Sequence, residues 1–226
     1  TYQEAFAAHF GSGGAYHGYI DRPTRGALDN IAKGQALSGI DDDQNPAVTR
    51  LPAILARYQR DAERDAILTD AMQVTNVNDV ALAYNMVFAQ ILSDVMDEKP
   101  VLDALQQAVQ SAPELIKAEI AHALSTSEAD STIFAGEVGR ACHLPTAGPV
   151  MFHILKHTES YRAAIDANIM AGGDSAGRSI LIGAIMGCAH GVATPKGIPL
   201  EWVLKLKDAH GIWSECARLA EHCTHD

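Results

Sequence analysis

The chain of 226 residues has no apolar run approaching the roughly 20 residues that a helix needs to cross a bilayer. Its N-terminus carries no basic-then-apolar leader of the kind that directs secretion. Both absences lead to the expectation of a soluble, cytoplasmic protein with no membrane partner. Positive charge is scarce as well: 17 Lys and Arg stand against 28 Asp and Glu, a formal net charge of −11. No stripe of basic residues with interleaved aromatics reverses that balance, which argues against nucleic acid as a partner. The four cysteines, Cys142, Cys188, Cys216 and Cys223, show no C-x-x-C spacing. A chain this long needs no covalent staple, so reduced thiols are expected. Cys216, His222, Cys223 and His225 crowd the C-terminus with soft ligands, but their spacing matches no structural zinc pattern.

What the sequence does have is helical periodicity. With 47% hydrophobic residues it can bury a substantial core, and its length suits one large domain over residues 1–226. From Val80 to Val95, apolar residues at 80, 82, 84, 87, 88, 91, 92 and 95 follow a helical period and predict one buried face. Similar patterns cover 46–59, 101–109, 113–124, 147–157, 159–170, 176–190 and 200–222, with breaks at Pro100, Pro113, Pro145 and Pro199. Ser125-Thr126-Ser127-Glu128 reads as a cap for a helix from about Glu128 to Gly139. The glycine-rich segment from Gly11 to Arg25 reads as irregular surface. Strand-like alternation is nowhere persuasive, and an all-α, orthogonal multi-helix bundle follows.

The most informative stretch runs from Ala171 to Ser179, Ala-Gly-Gly-Asp-Ser-Ala-Gly-Arg-Ser, directly before a helical pattern. Glycines at that place let the backbone turn tightly and present N–H groups at the positive end of a helix dipole, where an anion binds well. Asp174 then reads either as a carboxylate aimed into a cleft or as the cap of its own helix. Arg178 falls where a cation opposes the helix dipole, so its partner lies beyond the helix. That partner is a carboxylate such as Asp174 or a ligand phosphate.

Gly172-Gly173-Asp174-Ser175-Ala176-Gly177 resembles the metal motif of the ADP-ribosylglycohydrolase family, Gly-Gly-Asp-Thr-Asp-Thr before a small-residue helix. Ala163 to Met170 reads like the family's preceding helix, and Gly139 to Pro145 like its earlier loop. Gly187 to Gly191 and Gly197-Ile198-Pro199-Leu200-Glu201-Trp202 match its glycine-rich helix end and its Ile-Pro-x-x-Trp segment. Further upstream, Gly39 to Pro52, with Asp41, Asp42 and Asp43, looks like the family's ligand loop, and Val74 to Asp79 like its Thr-His turn. Asn76 stands there in the place of the usual His. The resemblance implies the same all-α architecture, a ribosyl N- or O-glycosidic bond as the target, and Mg²⁺ orienting the ribose hydroxyls. It implies an ADP-ribose-like small molecule or an ADP-ribosylated protein as the partner.

On that resemblance Asp174 is the metal ligand, and Gly172, Gly173, Ser175, Arg178, Asp41, Asp42, Asp43 and Asn76 contact substrate. Ala176 and Gly177 stand where the motif's second Asp and last Thr would complete the ion's shell. The family's N-terminal Gly-Asp and Thr-Asp-Asp motifs have no counterpart, so no catalytic residue is named. With Thr1 as the first residue, the chain is expected to be the C-terminal portion of a longer domain. Three functions remain open: a Mg²⁺-assisted glycohydrolase, a catalytically degenerate nucleotide-sugar binding or structural protein like the lens crystallins, and a hydrolase of another phosphorylated glycoside. Oligomeric state is not readable. From the residues alone, Asp41 to Asp43 also suit a solvated turn. Asn45 and Pro46 suit a helix start, His190 suits a helix end, and Cys142-His143 does not suit a thiol dyad.

Overall fold

The computed structural model describes residues 1–221, so His222, Cys223 and His225 lie outside the described residues. In chain order the helices are α1 (Tyr2–Phe10), α2 (Arg22–Ala32), α3 (Leu51–Tyr58), α4 (Arg64–Gln73), α5 (Asp79–Met96), α6 (Val101–Ser111) and α7 (Glu114–Ser125). They continue as α8 (Ser131–Val138), α9 (Leu144–His157), α10 (Tyr161–Ala171), α11 (Ser175–His190), α12 (Leu200–Leu204) and α13 (Ala209–Glu221). Among the described residues, extended pairing is confined to isolated bridges at Ile40–Asn76, Gln44–His143 and Val192–Ile198. The all-α expectation holds. No helix among the described residues is long and apolar enough to cross a membrane.

Two helices form the centre. Helix α5 packs against α3, α4, α6, α7, α9 and α11, so it is buried nearly all round rather than on the single face its periodicity predicts. Its polar Asn85, Ser93 and Asp94 are buried together with Tyr84, Phe88 and Ile91. Helix α9 is likewise enclosed, from Ala147 to Leu155 without a gap. A helix surrounded by apolar neighbours needs no polar stripe, which is why amphipathic periodicity under-describes both.

The four break prolines mark the starts of helices here, whereas Pro149 lies inside α9. Pro100, Pro113 and Pro199 are the N-caps of α6, α7 and α12. Pro145 lies in the first turn of α9, where a missing N–H costs nothing, so that helix begins at Leu144 rather than 147. The predicted helix over 46–59 divides into a 3₁₀ turn at Asn45–Ala47 and α3, and the one over 200–222 divides into α12 and α13. Helix α8 begins later than its Ser/Thr signal, because the Asp130 carboxylate accepts the Thr132 N–H at 2.7 Å and caps it. Helices α1, α2 and α4 go beyond the expected pattern: α1 and α4 carry weak periodicity, and α2 is clearly amphipathic and takes Arg22 to Arg25 out of the segment read as irregular. Each of α1, α2 and α4 buries few residues: Phe6 in α1, Pro23 and Ala27 in α2, Leu68, Ala71 and Met72 in α4.

A buried histidine ties α8 to α9. His153 has no exposed surface; its Nε2 bonds the Glu128 carbonyl at 2.9 Å and its Nδ1 bonds the Ser131 hydroxyl at 2.9 Å. A carbonyl only accepts, so Nε2 carries the hydrogen; in the neutral ring Nδ1 then accepts from the Ser131 hydroxyl. The ring stacks on Phe134, 4.3 Å between centroids, with His157 at 4.5 Å. Burial holds the His153 pKa below its ordinary value, with Lys156 adding to the effect and Glu128 and Asp130 opposing it. Burial likewise lowers His157, followed by its His153 and Lys156 neighbours.

A depressed imidazole pKa means that the unfolded chain binds more protons than the folded one on the acid side of the unfolded value, about 6.5. Stability from this pair is therefore intact above about pH 6.5 and falls as the pH drops below it. Melting temperature followed from pH 7.5 to 5 should decline in the acid half of the range. In His153→Gln the curve should start lower and slope less, and an equal slope in both proteins would remove the pair from the explanation.

Candidate functional site

Four loops converge beside the start of α11. The 39–45 loop is stitched to the α4–α5 turn: Gly39 N–H bonds the Gln73 carbonyl at 2.9 Å, Ile40 N–H the Thr75 carbonyl at 3.0 Å, and Val77 N–H the Ile40 carbonyl at 2.7 Å. Its far end is stitched to the loop before α9, Asn45 N–H to the Cys142 carbonyl at 2.8 Å and Leu144 N–H to the Asp43 carbonyl at 2.9 Å. The Asp174 N–H then bonds the Arg140 carbonyl at 3.1 Å and brings in the Gly-Gly turn.

The two motif glycines are there for the backbone. Gly172 has φ 72° and ψ −168°, a region that only glycine occupies readily. Gly173 has φ 65°, and a Cβ on it would fall 1.9 Å from the Arg140 carbonyl oxygen. The pair reverses the chain between α10 and α11 while letting it press against the Arg140 backbone.

Asp174 is the N-cap of α11. Its Oδ1 accepts the Gly177 N–H at 3.1 Å and its Oδ2 accepts the Asn45 side-chain amide at 2.7 Å. The positive end of this helix is therefore already met by the chain's own carboxylate. Asn45, expected to cap its own helix, instead reaches 129 residues along the chain to this carboxylate. Gly177, standing where the family has a ligand threonine, keeps the contact open: a Cβ there would lie 2.4 Å from Asp174 Oδ2 and 3.0 Å from Asn45 Nδ2.

The Arg178 guanidinium makes no hydrogen bond to Asp174, one of the two partners expected of it. It has no exposed surface, and its Nε donates to Asn168 Oδ1 at 2.8 Å. Its Nη2 donates to the carbonyls of Gly172 at 2.5 Å and Asn168 at 3.3 Å. Those carbonyls belong to the end of α10, so the cation that opposes the dipole of α11 satisfies the opposite pole of α10. Asp174 acts on it only through space, partly offsetting the burial that lowers its pKa. Asn168, buried and unremarked in the sequence, also donates to the Ser175 carbonyl and the Ser179 hydroxyl, each at 2.8 Å. Ser175 thus enters the network by its carbonyl. The signal for Asn168 was a lone amide within the apolar run Ala163 to Met170.

The three consecutive aspartates diverge. Asp41 is exposed and accepts from the Asn78 amide at 2.6 Å. Asp42 is buried; Arg22 donates to its Oδ2 at 2.6 Å and the Gln44 N–H to its Oδ1 at 3.0 Å. Asp43 pairs with Nδ1 of His143, which is half exposed. Asn76 has no exposed surface, and its amide donates to the Asp42 carbonyl at 2.8 Å and its oxygen accepts from Thr75 at 2.7 Å. It holds the loop from behind, with both its amide and its oxygen engaged by the chain itself. The sequence offered no sign of the Arg22–Asp42 and His143–Asp43 pairs, which link distant segments. Cys142 has its thiol pKa pushed up, first by burial and then by the charge of Asp174, the reverse of what a nucleophile needs.

Mg²⁺ asks for near-octahedral oxygen coordination. Among the described residues no group of three or more His, Cys, Asp and Glu is placed to hold a metal. Asp174 spends both oxygens on N–H donors, and Arg178 sits nearby as a fixed cation. As placed, these residues do not fit the ion that the motif implies for Asp174.

Two substitutions check this account by urea unfolding. Gly173→Ala should lower stability by at least about 2 kcal/mol, from its backbone conformation and the Arg140 clash. Arg178→Met should cost about 3 kcal/mol, since it leaves the Asn168 side-chain oxygen and the Gly172 carbonyl without the Arg178 donors. A loss under about 0.5 kcal/mol at either site, the size of an ordinary surface change, would contradict a structural role.

Comparison with known proteins agrees with the fold. A search among curated proteins returns no match. A solved chain described as an ADP-ribosylglycohydrolase-related protein complex superposes with a TM-score of 0.70 at 15% identity, over 89% of this chain and 69% of that one. A sequence model of the ADP-ribosylglycohydrolase family matches residues 1–226. The chain belongs to the ADP-ribosylglycohydrolase family.

Proposed function

We propose that this chain is a divergent family member that binds an ADP-ribose-like nucleotide sugar at the converging loops without a divalent ion, and that Mg²⁺-assisted hydrolysis has been lost. The observation that carries the reading is the closed Asp174 carboxylate, taken by the Gly177 N–H and the Asn45 amide. An ion would have to share each oxygen with an N–H donor that already holds it, and approach a site close to the Arg178 charge. Family membership supports the ligand class; the local chemistry supports independence from metal.

One feature favours a second reading in which some hydrolysis persists. The imidazole of His143 is held at Nδ1 by the Asp43 carboxylate and is half exposed. A carboxylate-oriented imidazole leaves Nε2 for proton transfer, the arrangement used in general acid–base catalysis. On this reading His143 moves a proton at the glycosidic oxygen or at the attacking water, and Asp43 orients it.

Thermal shift with ADP-ribose, in Mg²⁺ and in EDTA, separates the readings. Ligand at about 100 times its dissociation constant should raise the melting temperature by roughly 5–10 °C, equally in both buffers. A rise seen only with Mg²⁺ would restore the metal-dependent glycohydrolase. No rise in either buffer would favour a structural role or another phosphorylated glycoside. Release of ADP-ribose from an ADP-ribosylated protein in EDTA, abolished by His143→Ala, would establish the second reading.

A further inference from the structure

The chain has few aromatic residues, five Phe and six Tyr besides two Trp, and it concentrates them. Tyr2, Phe6, Phe10, Tyr16 and Tyr19 all line one cavity of about 690 Å³, while the two central helices rely largely on aliphatic side chains. The cavity lies between α1, the start of α2 and the turn that leads into α3. Its volume is that of a pocket for a small organic ligand.

The rings are arranged as walls. Phe6 and Phe10 stand 4.9 Å apart between centroids, Phe10 and Tyr16 5.1 Å, and His9 extends the row at 4.7 Å from Phe10. The row is only partly buried: Tyr16 is 39% exposed and Tyr19 is 80% exposed, anchored to each other by the Tyr16 hydroxyl donating to the Tyr19 carbonyl at 3.0 Å. Tyrosines that cluster around a cavity without being buried in it offer a flat apolar face and a polar tip, the combination suited to stacking a planar ring.

At the floor is Arg50. Its Nη1 donates to the Thr75 hydroxyl at 2.8 Å and the Ala71 carbonyl at 3.3 Å, and its guanidinium lies 5.7 Å from the Phe6 ring centroid. These contacts hold the fork in place. Among the described residues Nε and Nη2 make no protein hydrogen bond, so a fixed cation with free donors faces an aromatic cavity, with the Asp21 carboxylate, itself the N-cap of α2, as the acidic group on the same lining. Pro46 also lines the cavity, one residue from the Asn45 that holds Asp174.

We propose that this aromatic cavity is a nucleotide subsite, in which the base stacks among Phe10, Tyr16 and Tyr19 and an anionic phosphate oxygen meets the free N–H groups of Arg50. The inference deepens the nucleotide-sugar reading and rests on it for the identity of the base. A stacked ring supplies affinity that does not depend on metal, and Arg50 supplies the positive charge that the α11 N-terminus no longer offers.

The test is calorimetric titration of the intact chain with AMP, adenosine and ADP-ribose in EDTA, for the wild type and for Tyr16→Ala and Tyr19→Ala. Both side chains are substantially exposed, and circular dichroism confirms that the variants fold. AMP should bind the wild type more tightly than adenosine does, and each variant should weaken AMP about tenfold, the usual effect of removing one stacking ring. AMP that fails to bind, or binds both variants as it binds the wild type, overturns the cavity. ADP-ribose that binds with no dependence on either tyrosine overturns the cavity while leaving the proposed function standing. AMP binding that needs the tyrosines, with no ADP-ribose binding, leaves the cavity standing and removes the proposed function.

Discussion

The buried guanidinium of Arg178 is the contact on which the candidate site depends. It lies where α10 ends and α11 begins, two helix termini brought together by a turn of two left-handed glycines. The end of α10 exposes carbonyls and the start of α11 exposes N–H groups, and neither set can be left unpartnered in a closed environment. Arg178 satisfies the carbonyls of Asn168 and Gly172, and Asp174 satisfies the Gly177 N–H. A cation and a carboxylate thus serve opposite helix poles within one turn of chain. Everything else at the site, from the Asn45 amide to the position of the 39–45 loop, is organised around the resulting fixed carboxylate.

That arrangement accounts for the altered motif. In a site built for an ion, the motif's second Asp and last Thr would face the metal together with the first Asp. Here the second Asp is replaced by Ala176, with no ligand atom, and the last Thr by Gly177, whose lack of a side chain leaves room for Asn45 to reach Asp174. The positive charge beside the Asp174 carboxylate is the buried Arg178 guanidinium, a fixed part of the chain.

Sequence reasoning was most successful where a signal is local. The long periodic segments that became α5, α9, α10 and α11 were legible, as was the turn before α11, because glycine pairs and apolar spacing act over a few residues. It failed where helices are short or shielded by little burial, as in α1, α2 and α4. It also misjudged polar residues whose partners lie far along the chain. Asp41, Asp42 and Asp43 read as one acidic run, yet their partners are Asn78, Arg22 and His143, each delivered by a different segment. Asn45 read as a helix start and proved to be a bridge, since proximity to residue 174 has no trace in the neighbouring sequence.

The family and the all-α architecture were determined by the amino-acid sequence alone, through ordered motifs and a persistent helical period. Which atoms each motif residue touches was decided only by the tertiary structure. Chain direction and spacing tell whether a carboxylate opens a helix, but what meets its other oxygen is decided by whatever the packing brings near. At Asp174 the packing brought the Asn45 amide, with the Arg178 guanidinium acting only through space. An oxygen-rich shell for a metal would have required two further side chains that this sequence replaces with a methyl group and a hydrogen.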